Sequence, residues 1–295
     1  MRILLFGSTG QVGLEVLARA GSHGVTIDAL SRAEVDLEDE AAIAAAIGRT
    51  DADLVINAAA YTAVDQAETD EAAAFAINGV APGVMARACR TRYLPLFHIS
   101  TDYVFDGQRP GAWVETDETA PANAYGRSKL AGEQAVLAAG GRSLILRTSW
   151  VFSPHGRNFV KTMLGLTTRP ELRVVDDQHG RPTAAGDIAD VLLLAARRLV
   201  IDRDESVGGI VHFAGDGPTT WRHFARAVFD VAGGPSPVII PITTAEFPTP
   251  ATRPANSVLD CARLEAMLGV RPRPWRAGLE ETIAVLTGKP GDLST

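Results

Sequence analysis

Cysteine is nearly absent: the 295 residues include two, Cys89 and Cys261. Two thiols make neither a disulfide framework nor a zinc cluster, and they suit a reducing compartment. Basic residues are not in excess, with 28 Lys and Arg against 35 Asp and Glu and a formal net charge of −7. That balance speaks against a general nucleic-acid binder, whose surface would be basic. An anionic ligand would have to be held locally, by helix N-termini or single arginines. Uninterrupted apolar runs are short, and none reaches the ~20 residues a membrane helix needs. No secretory leader is expected, because Met1 to Phe6 run straight into a glycine turn. Histidine, cysteine and carboxylate residues show no ligand spacing, so no metal is predicted. The expectation is a soluble, cytoplasmic chain without nucleic-acid or membrane partners.

What is present is a globular composition, 46% hydrophobic and 21% charged. The length suits one large or two ordinary domains. Strands are predicted over 2–6, 25–30, 53–60, 94–100, 143–148 and 209–213. Helices are predicted over 11–20, 39–47, 72–92, 124–139, 185–200, 221–231, 262–268 and 277–286. Gly79, Pro82 and Gly83 mark an interruption in the third of these helices. Short apolar strands alternating with helices imply an α/β fold with parallel pairing, since right-handed crossovers need a helix between strands. The segment 235–254 is rich in proline but interleaved with Val238, Ile239, Ile240, Ile242 and Phe247. It reads as an ordered, substrate-facing loop.

The first strand ends in Gly7-Ser8-Thr9-Gly10-Gln11-Val12-Gly13. Glycines at this spacing let the backbone turn tightly and approach a pyrophosphate, and the helix N-terminus offers free N–H groups. Between a buried strand and an amphipathic helix, the motif points to a dinucleotide. Ser31 and Arg32 close the second strand, where an arginine accommodates a 2′-phosphate, and Asp36 and Leu37 follow beside the adenine. NADPH is the predicted cofactor, with NADH allowed. Ala59, Ala60, Tyr61 and Thr62 leave the third strand next to the same groove.

Tyr125 and Lys129 form Tyr-x-x-x-Lys on a helix, one turn apart on one face. An ammonium there would lower the tyrosine pKa and equip it to exchange a proton with a carbonyl or alcohol oxygen. Thr101 and Asp102 end the fourth strand, on the side where open α/β sheets place their chemistry. Trp150 follows the fifth strand, and a flat indole suits the apolar face of a deoxysugar. Arg181 and Arg253 each precede a proline in a loop and are candidates for a diphosphate.

The segments ILLFGSTGQVG, VINAAAYTAVDQAE, ISTDYVFDG, PANAYGRSKLAGE, LRTSWVF, FVKTMLGL, DQHGRPT and PTPATRPANSVLD run from residue 3 to about 260. With these the chain resembles the extended short-chain dehydrogenase/reductase family. The resemblance implies a Rossmann-type, doubly wound parallel sheet over 1–150 and a smaller C-terminal substrate-binding lobe over 151–295, with segments returning to the core. It implies that Gly10 to Val12, Asp36, Leu37 and Ala60 to Thr62 line the cofactor. Tyr125 would be the proton donor with Lys129 beside it, and Thr101, Asp102 and Trp150 would touch the sugar. The substrate class implied is a nucleotide sugar, a dTDP-6-deoxy-4-ketohexose reduced at C4 to dTDP-L-rhamnose. Leu30 stands where some members carry an acid for NADH, which favours NADPH. Some members dimerise, so a homodimer is allowed. Two alternatives are an epimerase or other reductase of the same family and a non-catalytic NADP-binding regulatory subunit. Tyr103 beside Asp102, in place of a glutamate, disfavours dehydration. The intact Tyr125 and Lys129 disfavour a regulatory role.

Overall fold

The apolar runs of the first half pair edge to edge in the computed structural model, which describes residues 1–288. In chain order the elements begin with β1 (Arg2–Phe6), α1 (Gln11–Ala20), β2 (Thr26–Leu30), α2 (Glu40–Arg49), β3 (Leu54–Asn57), α3 (Glu71–Phe75), α4 (Ala81–Thr91), β4 (Leu96–Thr101), α5 (Ala124–Ala138) and β5 (Ser143–Thr148). Then come β6 (Val151–Phe152), α6 (Phe159–Leu164), β7 (Glu171–Val175), β8 (His179–Gly180), β9 (Thr183–Ala184), α7 (Ala185–Val200) and β10 (Gly209–His212). The last are β11 (Thr219–Thr220), α8 (Trp221–Ala232), β12 (Val238–Ile242), α9 (Ala262–Leu268) and α10 (Trp275–Thr287).

Six strands form one sheet in the order β10-β5-β4-β3-β1-β2, all parallel. The inner strands are buried on both faces, so they read as continuous apolar runs rather than alternations. Ile43, Ile47, Met85 and Val136 of α2, α4 and α5 pack on one face against Leu4, Val55 and Ile145. Val12, Val16, Ile188 and Leu192 of α1 and α7 pack on the other face against Ile3, Leu5 and Ile56. The sheet is therefore doubly wound. Strand order reverses between β1 and β3, and a crevice opens there at the carboxyl ends. A separate cluster of Phe152, Val160, Phe224, Val228, Leu279 and Ile283 builds the C-terminal lobe.

Two expectations are refined. The helix over 72–92 forms, and its α-helical bonding is interrupted around Gly79, where a single π-helical turn, Ala76–Val80, joins α3 to α4. Pro82, which cannot donate to the turn before it, follows this π turn as the second residue of α4. The stretch Glu71–Thr91, 21 residues containing an 18-residue window of mean hydropathy 1.2, is long and apolar enough to cross a membrane by length and composition, yet more than half of that window is buried within the fold. Secondly, the 235–254 segment is not all loop, because it holds β12, which pairs in parallel with β7. Neither strand was predicted. Pro241 is tolerated because a two-stranded ribbon leaves one side of each strand unpaired.

Helix α5 lies unusually close to its neighbours. A Cβ on Gly132 would stand 2.1 Å from Asn78 O, and one on Gly126 would stand 2.3 Å from Tyr103 O. Gly132→Ala is expected to destabilise the protein by about 1–3 kcal/mol, because a backbone carbonyl must move. Gly48→Ala, with nothing within 4 Å of its added Cβ among the described residues, is expected to be neutral or to stabilise by up to about 1 kcal/mol. Urea denaturation of both variants checks the contrast, and equal behaviour would show that the Gly132 contact relaxes freely.

Candidate active site

Each glycine of the first turn does different work. Gly7 has φ +81, and its Cβ would lie 2.5 Å from Ala59 N. Gly13 would place a Cβ 2.2 Å from Gly7 O. These two let the chain pack on itself. Gly10 is the N-cap of α1, with no side chain covering the helix end. That leaves the positive end of the helix facing a cleft of ≈ 740 Å³.

Most of the predicted residues meet in this cleft. One wall includes Gly7, Gly10, Gln11, Val12, Ser31, Arg32, Asp36 and Leu37. Ala59, Ala60 and Thr62 continue the wall, and Thr101, Asp102, Tyr125, Lys129 and Trp150 line the other end. Gly13 and Tyr61 stand outside the lining. Tyr61 instead binds Asn78 through its backbone N–H at 2.8 Å and Asp70 through its hydroxyl at 3.2 Å. Arg32 is largely exposed and lies 3.6 Å from Asp36 and 3.4 Å from Glu38. Ser31 is held by the Glu34 carboxylate. Asp28, the carboxylate within β2, pairs with Arg2 at 2.9 Å and does not line the cleft.

Arg181 is a correction. Its guanidinium donates to Gly215 O and Leu259 O, both at 2.7 Å, and pairs with Asp216 at 2.9 Å. These contacts tie loops of the fold together outside the cleft. Arg253 is also outside the lining, but its Nη2 reaches Asp65 at 2.8 Å, and its buried Nη1 has no partner among the described residues.

Several lining residues escaped the sequence reading. Ser100 and Thr148 present buried hydroxyls that lack partners among the described residues. Both sit at strand carboxyl ends, the one signal that could have found them. Arg157 and Asn158 come from the segment after β6. Asn158 Nδ2 and Ser153 Oγ both donate to Gln11 Oε1 at 2.9 Å. The Gln11 side-chain oxygen thus ties the glycine turn to the lobe.

The reactive end is built on α5. Asn123 caps it by accepting from Gly126 N–H at 2.8 Å, and Glu68 takes the Ala124 N–H at 2.7 Å. Tyr125 and Lys129 then share one face. One turn on, Glu133 receives Arg147 bidentately at 2.8 and 2.6 Å, with both side chains buried. Lys129 Nζ donates to Ile99 O at 2.7 Å. Burial brings the Lys129 pKa down to about 8, with the Glu133 charge pulling upward. Burial pushes the Tyr125 phenol up to about 12; the Thr101 hydroxyl opposes this, and Asp102 adds to it. The depression expected from Lys129 is not what this geometry gives, because the phenol is enclosed and the amine is anchored to a carbonyl. A phenol that keeps its proton is suited to donating one.

Trp150 has φ +49 and stacks on Trp221, with centroids 3.6 Å apart and planes 9° from parallel. Gly180 makes the room: its Cβ would lie 2.3 Å from the Trp150 ring. Trp221 Nε1 donates to Gln178 Oε1 at 3.1 Å. The cleft therefore has an aromatic wall at the lobe side.

Asp102 is buried, and that burial lifts its pKa to about 6, while the Thr101 hydroxyl, donating to Oδ1 at 3.1 Å, pulls it the other way. The folded state then holds this proton more tightly than the unfolded chain. The sign follows: stability falls as pH rises from about 4 through about 6. Asp102→Asn is expected to remove that loss, gaining up to about 3 kcal/mol at pH 8 relative to wild type. Thermal unfolding of both proteins at pH 5 and pH 8 tests it; an equal difference at the two pH values would contradict the shift.

The sequence matches the family described as RmlD substrate binding domain over residues 1–287. It is 42% identical over 290 residues to the dTDP-4-dehydrorhamnose reductase of Sinorhizobium fredii, covering 97% of this chain and 98% of that one. The solved dTDP-4-dehydrorhamnose reductase of Clostridium acetobutylicum superposes with a TM-score of 0.91 at 36% identity, covering 97% of this chain and 100% of the other. That of Bacillus anthracis, solved in complex with NADP, superposes at 0.89 with 32% identity over 96% and 99% of the two chains. The chain belongs to the dTDP-4-dehydrorhamnose reductase family.

Proposed function

We propose that this protein reduces the C4 ketone of dTDP-4-dehydro-L-rhamnose to dTDP-L-rhamnose, using NADPH in preference to NADH. The observation that carries the reading is the half-buried Tyr125, whose hydroxyl keeps its proton at the cleft end shared by Thr101 and Lys129. The cleft suits a dinucleotide: a glycine turn opens the α1 N-terminus at one end, and the Ser100 and Thr148 hydroxyls, without partners among the described residues, line the other. When bound, NAD(P)H supplies the hydride. Tyr125 gives its proton to the C4 oxygen as charge develops there. Thr101 steadies that oxygen through its hydroxyl. Lys129 orients the cofactor ribose and stabilises the tyrosinate left behind. Trp150 offers its face to the deoxysugar, and Arg253, just beyond the lining, brings the diphosphate an Nη1 that has no partner among the described residues.

The NADPH preference is supported by Leu30, which brings no carboxylate to the ribose, and by Arg32 on the cleft wall. The NADP complex of the Bacillus anthracis relative points the same way. Arg32 has to turn from Asp36 and Glu38 to reach a 2′-phosphate, and those contacts are long and exposed enough to yield.

The direct test is oxidation of NADPH with dTDP-4-dehydro-L-rhamnose; no stoichiometric oxidation would overturn the assignment. Tyr125→Phe is expected to keep cofactor affinity and lose about 10²–10⁴-fold in kcat, and near wild-type turnover would remove Tyr125 from the mechanism. Arg32→Ala is expected to cost NADPH, and not NADH, about one to two orders of magnitude in kcat/KM. A preference left intact in that variant would clear Arg32 of the role.

A further inference from the structure

Behind Lys129, on the side away from the cleft, runs a buried polar chain that the proton transfer does not use. Asn57 ends β3, and His98 stands beside it in register on β4. Both are fully buried. The Asn57 carboxamide has a fixed orientation, because its Oδ1 accepts the Ala59 N–H at 3.1 Å. Its Nδ2 therefore faces His98 Nδ1, also at 3.1 Å. A carboxamide nitrogen only donates, so Nδ1 is the bare, accepting nitrogen. The ring is neutral, since burial and the Lys129 charge both hold its pKa well below the ordinary value. Its one proton then sits on Nε2, which lies 3.4 Å from Lys129 Nζ.

An N–H thus confronts the ammonium where a lone pair could have been. Among the described residues, the acceptor that Lys129 does find is Ile99 O, at 2.7 Å. An ammonium has three N–H groups. One is taken by that carbonyl, and none is taken by the imidazole. The other titratable groups around it are Tyr125 and Glu133 on α5, and Glu133 is engaged by Arg147.

We propose that His98, locked by Asn57 as the Nε2–H tautomer, is a positioning residue: it denies Lys129 a second inward hydrogen bond and so turns two N–H groups to the cleft. The inference rests on the ribose- and tyrosine-facing role given to Lys129 above. It explains why an imidazole is placed against a lysine that it cannot accept from.

The experiment has two parts. ¹⁵N NMR of histidine-labelled protein, with and without NADP⁺, is expected to show His98 bare at Nδ1 and protonated at Nε2. The opposite tautomer or an imidazolium overturns the proposal. The second part compares His98→Leu with His98→Gln by NADP⁺ titration of the folded variants. Leu neither donates nor accepts, so affinity should stay within about threefold of wild type. Gln offers Lys129 a carbonyl oxygen and should cost about tenfold, the worth of one diverted hydrogen bond. Equal losses in both variants would mean that His98 merely fills space, and the proposal would fall. Neither readout depends on which sugar is reduced, so failure of the substrate assignment is told apart from failure of this inference.

Discussion

The site depends on one helix being docked with no slack. At Gly126 and Gly132, α5 approaches the backbone of its neighbours closer than any Cβ permits. At Glu133 it is tied to β5 by a buried, bidentate ion pair. Such a pair contributes little net stability, but removing one partner strands a charge and costs about 3–5 kcal/mol. Arg147 is further covered by Phe105, 5.0 Å away, and Phe105 stacks on Trp113 at 4.6 Å. Tyr125 and Lys129 inherit their positions from these contacts. The turns of helix around them place both backbones, and the Lys129 amine is then anchored on Ile99 O.

The opposite wall is held by a different device. Gln11 accepts from Ser153 and Asn158, so the turn that lines the cleft also grips the start of the lobe. Farther out, Asp65 accepts from Ala251 N–H and from Arg253, joining segments nearly two hundred positions apart. The cleft is thus framed by tethers between the sheet and the lobe.

The strands of the sheet were legible because parallel strands buried on both faces must be continuously apolar. The glycine turn, Thr101, Tyr125 and Lys129 were legible because each type sits at a strand end or helical spacing that its chemistry requires. The β7–β12 ribbon was not. Its exposed strands bury too little to leave a clear pattern, and Pro241 disguised one of them. Arg181 was misjudged because an arginine before a proline in a loop looks the same whether it waits for phosphate or ties carbonyls together. Ser100 and Thr148 were passed over because a small hydroxyl inside an apolar strand carries no periodicity. The tyrosine's raised pKa was also out of reach, since enclosure is a property of the assembled fold.

Trp150 shows what the left-handed backbone at one residue brings to the whole cleft. Holding a tryptophan at φ +49 costs roughly 1–2 kcal/mol in the folded state. Stacking on Trp221 and the bare backbone of Gly180 hold it there. The indole has therefore given up its rotational freedom at folding. A ligand that lands on it need not freeze it again, a saving of about 0.5–1.5 kcal/mol for a side chain of this size. Conformational entropy surrendered once by the fold thus becomes affinity at every binding event.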